Sequence, residues 1–357
     1  MRTEDSMDGV VRNVVDLAAR VYANSELSSE AYVRWQYFSN PAGQAEIQLE
    51  LDEQGAVAHY AVVPLEYQLD GHVLKGSLSL NTMTREDQRG KGLFRRLAEN
   101  TFANLPDREI MFTIGFPNNQ SLPGFIKSLG FEHIGTVPMM IRPLNYWAML
   151  HRLLRSAARR KGAELKFVVN PSSRFRSKKW CVRMLDLTAD APLMIGLLDQ
   201  LLQRHRCATV RSLAYLSWRY EQCPTRNYTI LGVSAGNEET IVGFVVLRSV
   251  ELFGLRCGII VDLIGSEGPE TDESLGFLLD VAMKQFRAAQ LDAVIAACTP
   301  GCQESKQLKR CGFITIPNRW HPQPLHVILR KHKQATNENL MCDFNNWFLT
   351  FGDYDVL

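Results

Sequence analysis

Near the N-terminus, Val10, Val11, Val14, Leu17, Ala18 and Val21 recur with the period of a helix, which predicts an amphipathic helix over 9–23. A second, shorter helix over 28–37 opens at a Ser/Glu-rich turn. It must stop before Asn40-Pro41, because proline disfavours helical backbone in the residue ahead of it. The pattern then becomes strand-like. Segments 45–51, 57–67 and 73–84 read as strands joined by Asp52-Glu53-Gln54-Gly55 and Asp70-Gly71, turn-forming groups that predict an antiparallel meander. The third strand ends in a charged turn, after which Gly90 and Gly92 open a helix over 92–103 with Leu93, Leu97 and Phe102 on its apolar side. A buried strand over 110–115, a helix over 121–129 and returning β structure over 131–141 follow.

The same order of elements comes round again. Trp35-Gln36-Tyr37 and Pro41 recur as Trp218-Arg219-Tyr220 and Pro224 at an offset of 183, and Gly130-Phe131 recurs as Gly312-Phe313 at an offset of 182. Between those anchors the pattern predicts helices over 193–202, 212–220, 275–289 and 304–311. Strands are predicted over 228–234, 240–252, 256–264 and 293–298. A chain of 357 residues is long enough for two such domains, each burying its own core. By the offset, the strand around Val182–Leu185 has its counterpart at or before Met1, so the first copy is expected to lack its first edge strand or to borrow one.

Charge changes this picture only in the middle. The formal charge of +2 is concentrated in residues 151–184, which hold eleven Lys/Arg against one Glu. Residues 146–160 read as a helix with Trp147, Leu150 and Leu154 along one side, continuing into the basic stretch 170–179. This is read as a solvated linker helix packed by its apolar stripe; membrane-surface contact through 146–179 is the weaker reading, and no nucleic-acid partner is expected. All eight cysteines lie beyond residue 180, with no Cys-x-x-Cys and no paired-histidine spacing, so no metal site is expected. The acidic start, the absence of an apolar leader and the lack of any long apolar run point to a cytoplasmic chain.

The candidate chemistry is concentrated at the glycine turn. Glycines let the backbone approach an anion, successive N–H groups converge on it, and the helix N-terminus adds partial positive charge. Arg89 and Lys91 add side-chain charge at the mouth. The run Arg89-Gly90-Lys91-Gly92-Leu93-Phe94 resembles the acyl-CoA loop of the GNAT superfamily of N-acyltransferases, with Phe94 where that family usually keeps a small residue. Gly115-Phe116-Pro117-Asn118-Asn119 followed by Phe125-Ile126-Lys127-Ser128-Leu129-Gly130-Phe131 is similar to the second signature of the same superfamily, a strand that splays from its neighbour. The resemblance implies an α/β (α+β) fold of two tandem GNAT-like domains, each a mixed, mostly antiparallel sheet flanked by helices. Its boundaries are expected at 1–145 for the acyl-CoA domain, 146–180 for the linker, 181–333 for a degenerate second copy, and 334–357 for a tail returning to the cleft.

The resemblance further implies that Gln88, Arg89, Gly90, Lys91, Gly92, Leu93 and Phe94 bind the diphosphate of acetyl-CoA. Leu80, Asn81, Thr82 and Met83 would bond the pantetheine arm, with Asn118, Asn119 and Phe125 beside it. Either Asn serves equally well as a helix cap. In the second copy the corresponding stretch, residues 264–273, carries four carboxylates and no Lys or Arg, which repels a diphosphate. The family often has a Tyr where this chain has Ile126. Candidate bases are His59 and Tyr60 on the second strand and, in the aromatic and acidic tail, Asp353, Asp355 or the Leu357 carboxylate. The expected function is transfer of an acetyl group from acetyl-CoA to a primary amine of a small molecule or amino sugar. A Fem-type aminoacyl transferase and a non-catalytic acyl-CoA-binding module are the alternatives.

Overall fold

A computed structural model of the chain describes all residues except 1, 2, 23, 24, 148, 150–163, 166, 237–239, 253, 321, 322, 334–337 and 355–357. It divides into two compact units, each made of several stretches of chain. The first comprises residues 1–135, 214–225 and 326–344, the second 136–213, 226–325 and 345–357.

In the first unit, α1 (Thr3–Val21) and α2 (Glu30–Phe38) precede the sheet, α2 starting at Ser29, whose hydroxyl accepts from the Tyr32 amide. Strands β1 (Glu46–Asp52), β2 (Gly55–Leu69) and β3 (His72–Thr84) form the antiparallel meander that the alternation predicts. Asp70 and Gly71 both take positive φ at the β2–β3 turn, as a tight hairpin demands. The chain continues through α3 (Leu93–Asn104), β4 (Phe112–Gly115), α4 (Leu122–Leu129) and β5 (Glu132–Val137). β4 runs parallel to β3. Residues along β2 alternate between two faces: Tyr60 and Val62 join the core with Leu97 and Phe102 of α3 and Phe125 of α4, while His59 stacks on Tyr37 of α2.

The second unit's sheet has the order β14-β6-β13-β12-β11-β10-β8-β7. Its strands are β6 (Met139–Pro143), β7 (Arg174–Arg176), β8 (Trp180–Met184), β10 (Thr229–Ala235), β11 (Ile241–Leu252), β12 (Leu255–Gly265), β13 (Ala293–Ala297) and β14 (Ile314–Thr315). Its helices include α5 (Ala191–Arg204), α6 (Thr271–Ala288) and α7 (Gln303–Arg310). The C-terminal segment belongs to this unit. β16 (Trp347–Phe348) pairs in parallel with β9 (Cys207–Thr209).

These units do not follow the linear division 1–145, 146–180, 181–333 and 334–357. The β structure over 131–141 is two strands, of which β5 joins the first unit's sheet and β6 the second's, beside β13. Conversely β15 (Leu325–Lys331), far along the chain, lies between β4 and β5 in the first unit's sheet. Local pattern gives a strand's existence but not its partner, because pairing depends on which edge the folded chain brings alongside. The repeat anchors meet within the first unit: Trp35 and Trp218 stack with ring centroids 4.9 Å apart, and each indole N–H donates to the other's carbonyl, at 2.7 and 3.0 Å. Most of the predicted linker helix lies outside the described residues. No described helix is long and apolar enough to cross a membrane.

Candidate functional site

The turn between β3 and α3 is built around Arg85. Its guanidinium donates to Asp52 Oδ2 at 2.7 Å and to Asp87 Oδ1 at 2.6 Å, which ties the turn to the β1–β2 hairpin and holds the Asp87 carboxyl down to about 2. Beyond it Gly90 and Gly92 take φ of +78° and +75°, the left-handed region that side-chain-bearing residues avoid. Arg89 N–H donates to Glu86 O, and Arg96 N–H donates to Gly92 O. Among the described residues the amides between them, from Gly90 to Arg95, donate to no protein oxygen. A Cβ placed on Gly90 or Gly92 would meet no atom within 4 Å, so the space beside both glycines is open. Arg89 and Lys91 are exposed, and among the described residues neither has a carboxylate at ion-pair distance; Lys91 Nζ rests on Gln88 Oε1 at 2.8 Å. The first turn of α3 thus presents unpaired N–H groups and uncompensated positive charge to the same open space.

Next to this loop the sheet forks. β3 and β4 pair only from Ser77–Thr113 to Ser79–Gly115, after which β4 ends and β3 continues to Thr84. Beyond the fork β3 carries a bulge: Leu80 faces Ala61 and Met83 faces His59, so Asn81 and Thr82 together oppose Tyr60. Asn81 has φ of +55°, a conformation that local contacts secure. Its amide nitrogen donates to Gln36 Oε1 at 2.6 Å and Tyr37 Oη at 3.0 Å, its carbonyl accepts from His59 Nδ1 at 2.8 Å, and Tyr22 Oη donates to Thr82 O at 3.1 Å. The side chains of Leu80 and Met83 are buried, so these two residues offer only backbone groups.

The residues singled out from sequence fare unevenly. His59 is buried with its proton on Nδ1, its Nε2 has no partner, and burial lowers its pKa to about 4. It is a neutral ring that holds the bulge, sealed from solvent. Tyr60 is equally buried, its hydroxyl 2.8 Å from Ser79 Oγ, and burial raises the phenol so that it stays protonated. Asn118 acts as a cap: its side-chain oxygen accepts from the amides of Gln120 and Ser121 at 3.0 and 2.9 Å. Asn119 Oδ1 accepts from His326 Nε2 at 2.8 Å. Phe125 is a core residue in edge contact with Phe94, and Phe94 fills the place of the family's small residue by packing there. Asp355 and Leu357 lie outside the described residues. Tyr22 and Gln36 carry no sequence signal for the bulge contacts they make, although Gln36 lies inside a repeat anchor.

The second unit has a comparable fork with its own chain in it. β12 and β13 pair in parallel from Cys257–Ala293 to Ile260–Ala296. Beyond that, Cys298 bridges Thr350, Thr299 N–H donates to Leu349 O at 3.0 Å, and Thr350 Oγ1 donates to Asp262 Oδ1 at 2.8 Å. Arg211, 1 % exposed, donates to Asp262 Oδ2 at 2.9 Å and to Asp353 Oδ2 at 2.8 Å. Asp353 is therefore a buried ion-pair partner within the second unit and closes the capping box of Thr350, its carboxylate accepting from the Thr350 amide. The acidic turn before α6 is compensated internally, Glu270 and Glu273 by Lys179 and Asp272 by Arg310. Two of its amides are engaged as well, Ser266 with Val242 O and Glu267 with Gln200 Oε1.

No group of three or more His, Cys, Asp or Glu among the described residues is arranged to hold a metal ion. Residues 4–134 match the profile of the acetyltransferase (GNAT) domain family. No curated protein sequence matches the chain. Among solved structures, a GCN5-related N-acetyltransferase from Anabaena variabilis superimposes with a TM-score of 0.61 at 13% identity, covering 90% of this chain and 70% of the other. The N-myristoyltransferase of Saccharomyces cerevisiae, solved with bound myristoyl-CoA, gives 0.59 at 12% identity over 92% of this chain and 78% of that one. A probable N-acyltransferase from Enterococcus faecalis gives 0.58 at 9% identity over 93% and 71%. The loop and the fork thus lie in a stretch that matches a GNAT acetyltransferase domain, and the chain shares its fold with solved N-acyltransferases.

Proposed function

We propose that the first unit binds acetyl-CoA with its diphosphate on the amides of residues 90–95, and that the chain transfers the acetyl group to a primary amine of a small molecule such as an amino sugar. One observation carries this reading. A run of unpaired N–H groups at a helix N-terminus, opened by two left-handed glycines and flanked by Arg89 and Lys91, is an anion site with no counterpart in the second unit's acidic turn. The fork beside it supplies the rest. Backbone groups of β3 past Ser79 have no partner on β4, and a pantetheine amide can pair with them as a strand would. The main-chain N–H near Thr82 or Met83 is the donor for the negative charge that builds on the thioester oxygen during attack. The bulge held by His59, Gln36, Tyr37 and Tyr22 keeps that stretch in one conformation before substrate arrives. With His59 and Tyr60 sealed from solvent, the chemistry takes no proton acceptor from β2; the attacking amine must lose its proton elsewhere.

The test is calorimetric titration with acetyl-CoA and CoA, followed by a thiol-release assay over a panel of amines. Micromolar CoA binding and amine-dependent thiol release are expected. Binding without amine-dependent release would leave a binding module, and no binding at millimolar CoA would overturn the reading altogether.

A further inference from the structure

The second unit carries a pair of thiols that the acyl-transfer chemistry does not use. β13 ends at Ala297, and Cys298-Thr299-Pro300-Gly301-Cys302 turns the chain into α7, with Gly301 at φ of +89°. The turn brings Cys298 Sγ and Cys302 Sγ to 3.2 Å from one another. Two elements hold them there. Cys302 caps α7, its sulfur accepting from Ser305 N–H at 3.4 Å and donating to Thr299 O at 3.2 Å. On the other side Thr299 is fastened to the C-terminal segment, its amide to Leu349 O at 3.0 Å and its hydroxyl to the Leu349 amide at 3.2 Å. Neither thiol is in a disulfide, and they differ in access: Cys298 is buried, Cys302 half-buried.

We infer that Cys298 and Cys302 are a redox-active dithiol, which a low-molecular-weight disulfide such as oxidised glutathione converts to an intramolecular disulfide. The difference in access sets the order of steps. Cys302 loses its proton and its sulfur displaces one glutathione thiolate, forming a mixed disulfide with the other glutathione. Cys298 then loses its proton and attacks Cys302 Sγ, which releases the second glutathione. The two protein thiols give up two protons and two electrons, and one glutathione disulfide becomes two thiols. The hydrogen bond with Cys302, burial and the nearby carboxylates of Glu304 and Asp262 hold Cys298 well above the ordinary thiol range, so it is a poor first nucleophile and acts only on a sulfur already in contact. Disulfide formation needs short reach and converging side chains, and these sulfurs already touch.

The experiment treats the reduced full-length chain with graded ratios of oxidised to reduced glutathione, then measures intact mass and maps tryptic peptides. The expected product is lighter than the reduced chain by two hydrogen atoms, with both cysteines joined inside the single peptide 288–306. Cys298→Ser is expected to stop at a lasting glutathione adduct on Cys302, and Cys302→Ser to leave Cys298 unmodified. A wild-type chain that keeps a glutathione adduct on Cys302, joins either cysteine to one outside this peptide, or leaves both as thiols at high oxidised glutathione overturns the inference. The wild-type map decides the matter even if a serine variant does not fold.

Discussion

Gly92→Ala separates backbone strain from anion binding, provided that it is paired with Gly71→Ala. Both glycines sit at positive φ, +75° and +85°, and a Cβ at either would meet nothing within 4 Å. The cost of forcing an L-residue into that region, about 1–2 kcal/mol, is therefore the same for both, and no steric term adds to it. For domains of this size that lowers the melting temperature by roughly 2–8 °C. The two differ in what the methyl faces. At Gly71 it projects from a hairpin turn, whereas at Gly92 it stands within the run of amides 90–95 that donate to no protein oxygen. Displacing a diphosphate from one charge-assisted amide contact costs about 1.5–3 kcal/mol, or roughly tenfold to a hundredfold in CoA dissociation constant. Thermal melts should shift alike for the two variants, and calorimetric CoA affinity should fall in Gly92→Ala alone. Equal affinities within a factor of about two, at matched melting shifts, would refute the assignment of the loop as an anion site.

Four further outcomes follow from the same geometry. Titration with CoA should saturate at one per chain, because residues 264–273 carry four carboxylates and no Lys or Arg, and the amides of Ser266 and Glu267 are engaged; a second site of similar affinity would contradict this. His59 titrates at about 4 when folded and at 6.5 when free, so its contribution is complete above the free value and is lost as pH falls toward the folded one. His59→Gln should accordingly remove about 2 kcal/mol of the stability difference between pH 7 and pH 5 measured by urea unfolding, while leaving the pH profile of turnover unchanged if His59 positions the bulge and is not a base. Tyr22→Phe, which deletes the hydroxyl on Thr82 O, should lower kcat severalfold with CoA affinity unaltered. Arg211→Met strands Asp262 and Asp353 without their shared cation and should cost about 3–5 kcal/mol in denaturant unfolding; a loss below about 1 kcal/mol would show that the pair is not held as charges.

The residues at positions 82–97 mark the candidate anion loop in the sequence alone, because a phosphate cradle is a local object. Two glycines, a basic flank and a helix start must follow one another in the chain. The meander, α3, α4 and the repeat of Trp35-Gln36-Tyr37 were legible for the same reason: each depends on periodicity within a few turns or on self-similarity. What each polar side chain does was decided in three dimensions. His59 reads as an accessible proton acceptor until Tyr37 and Asn81 close over it, Asp353 as a base until Arg211 claims it, and Asn118 as a ligand until the start of α4 takes its oxygen. The placement of β6 and β15 belongs to the same class. A strand's alternation records that one face is buried, and only the assembled sheet determines beside which neighbour, since hydrogen bonds between strands are identical whatever the sequence distance between them.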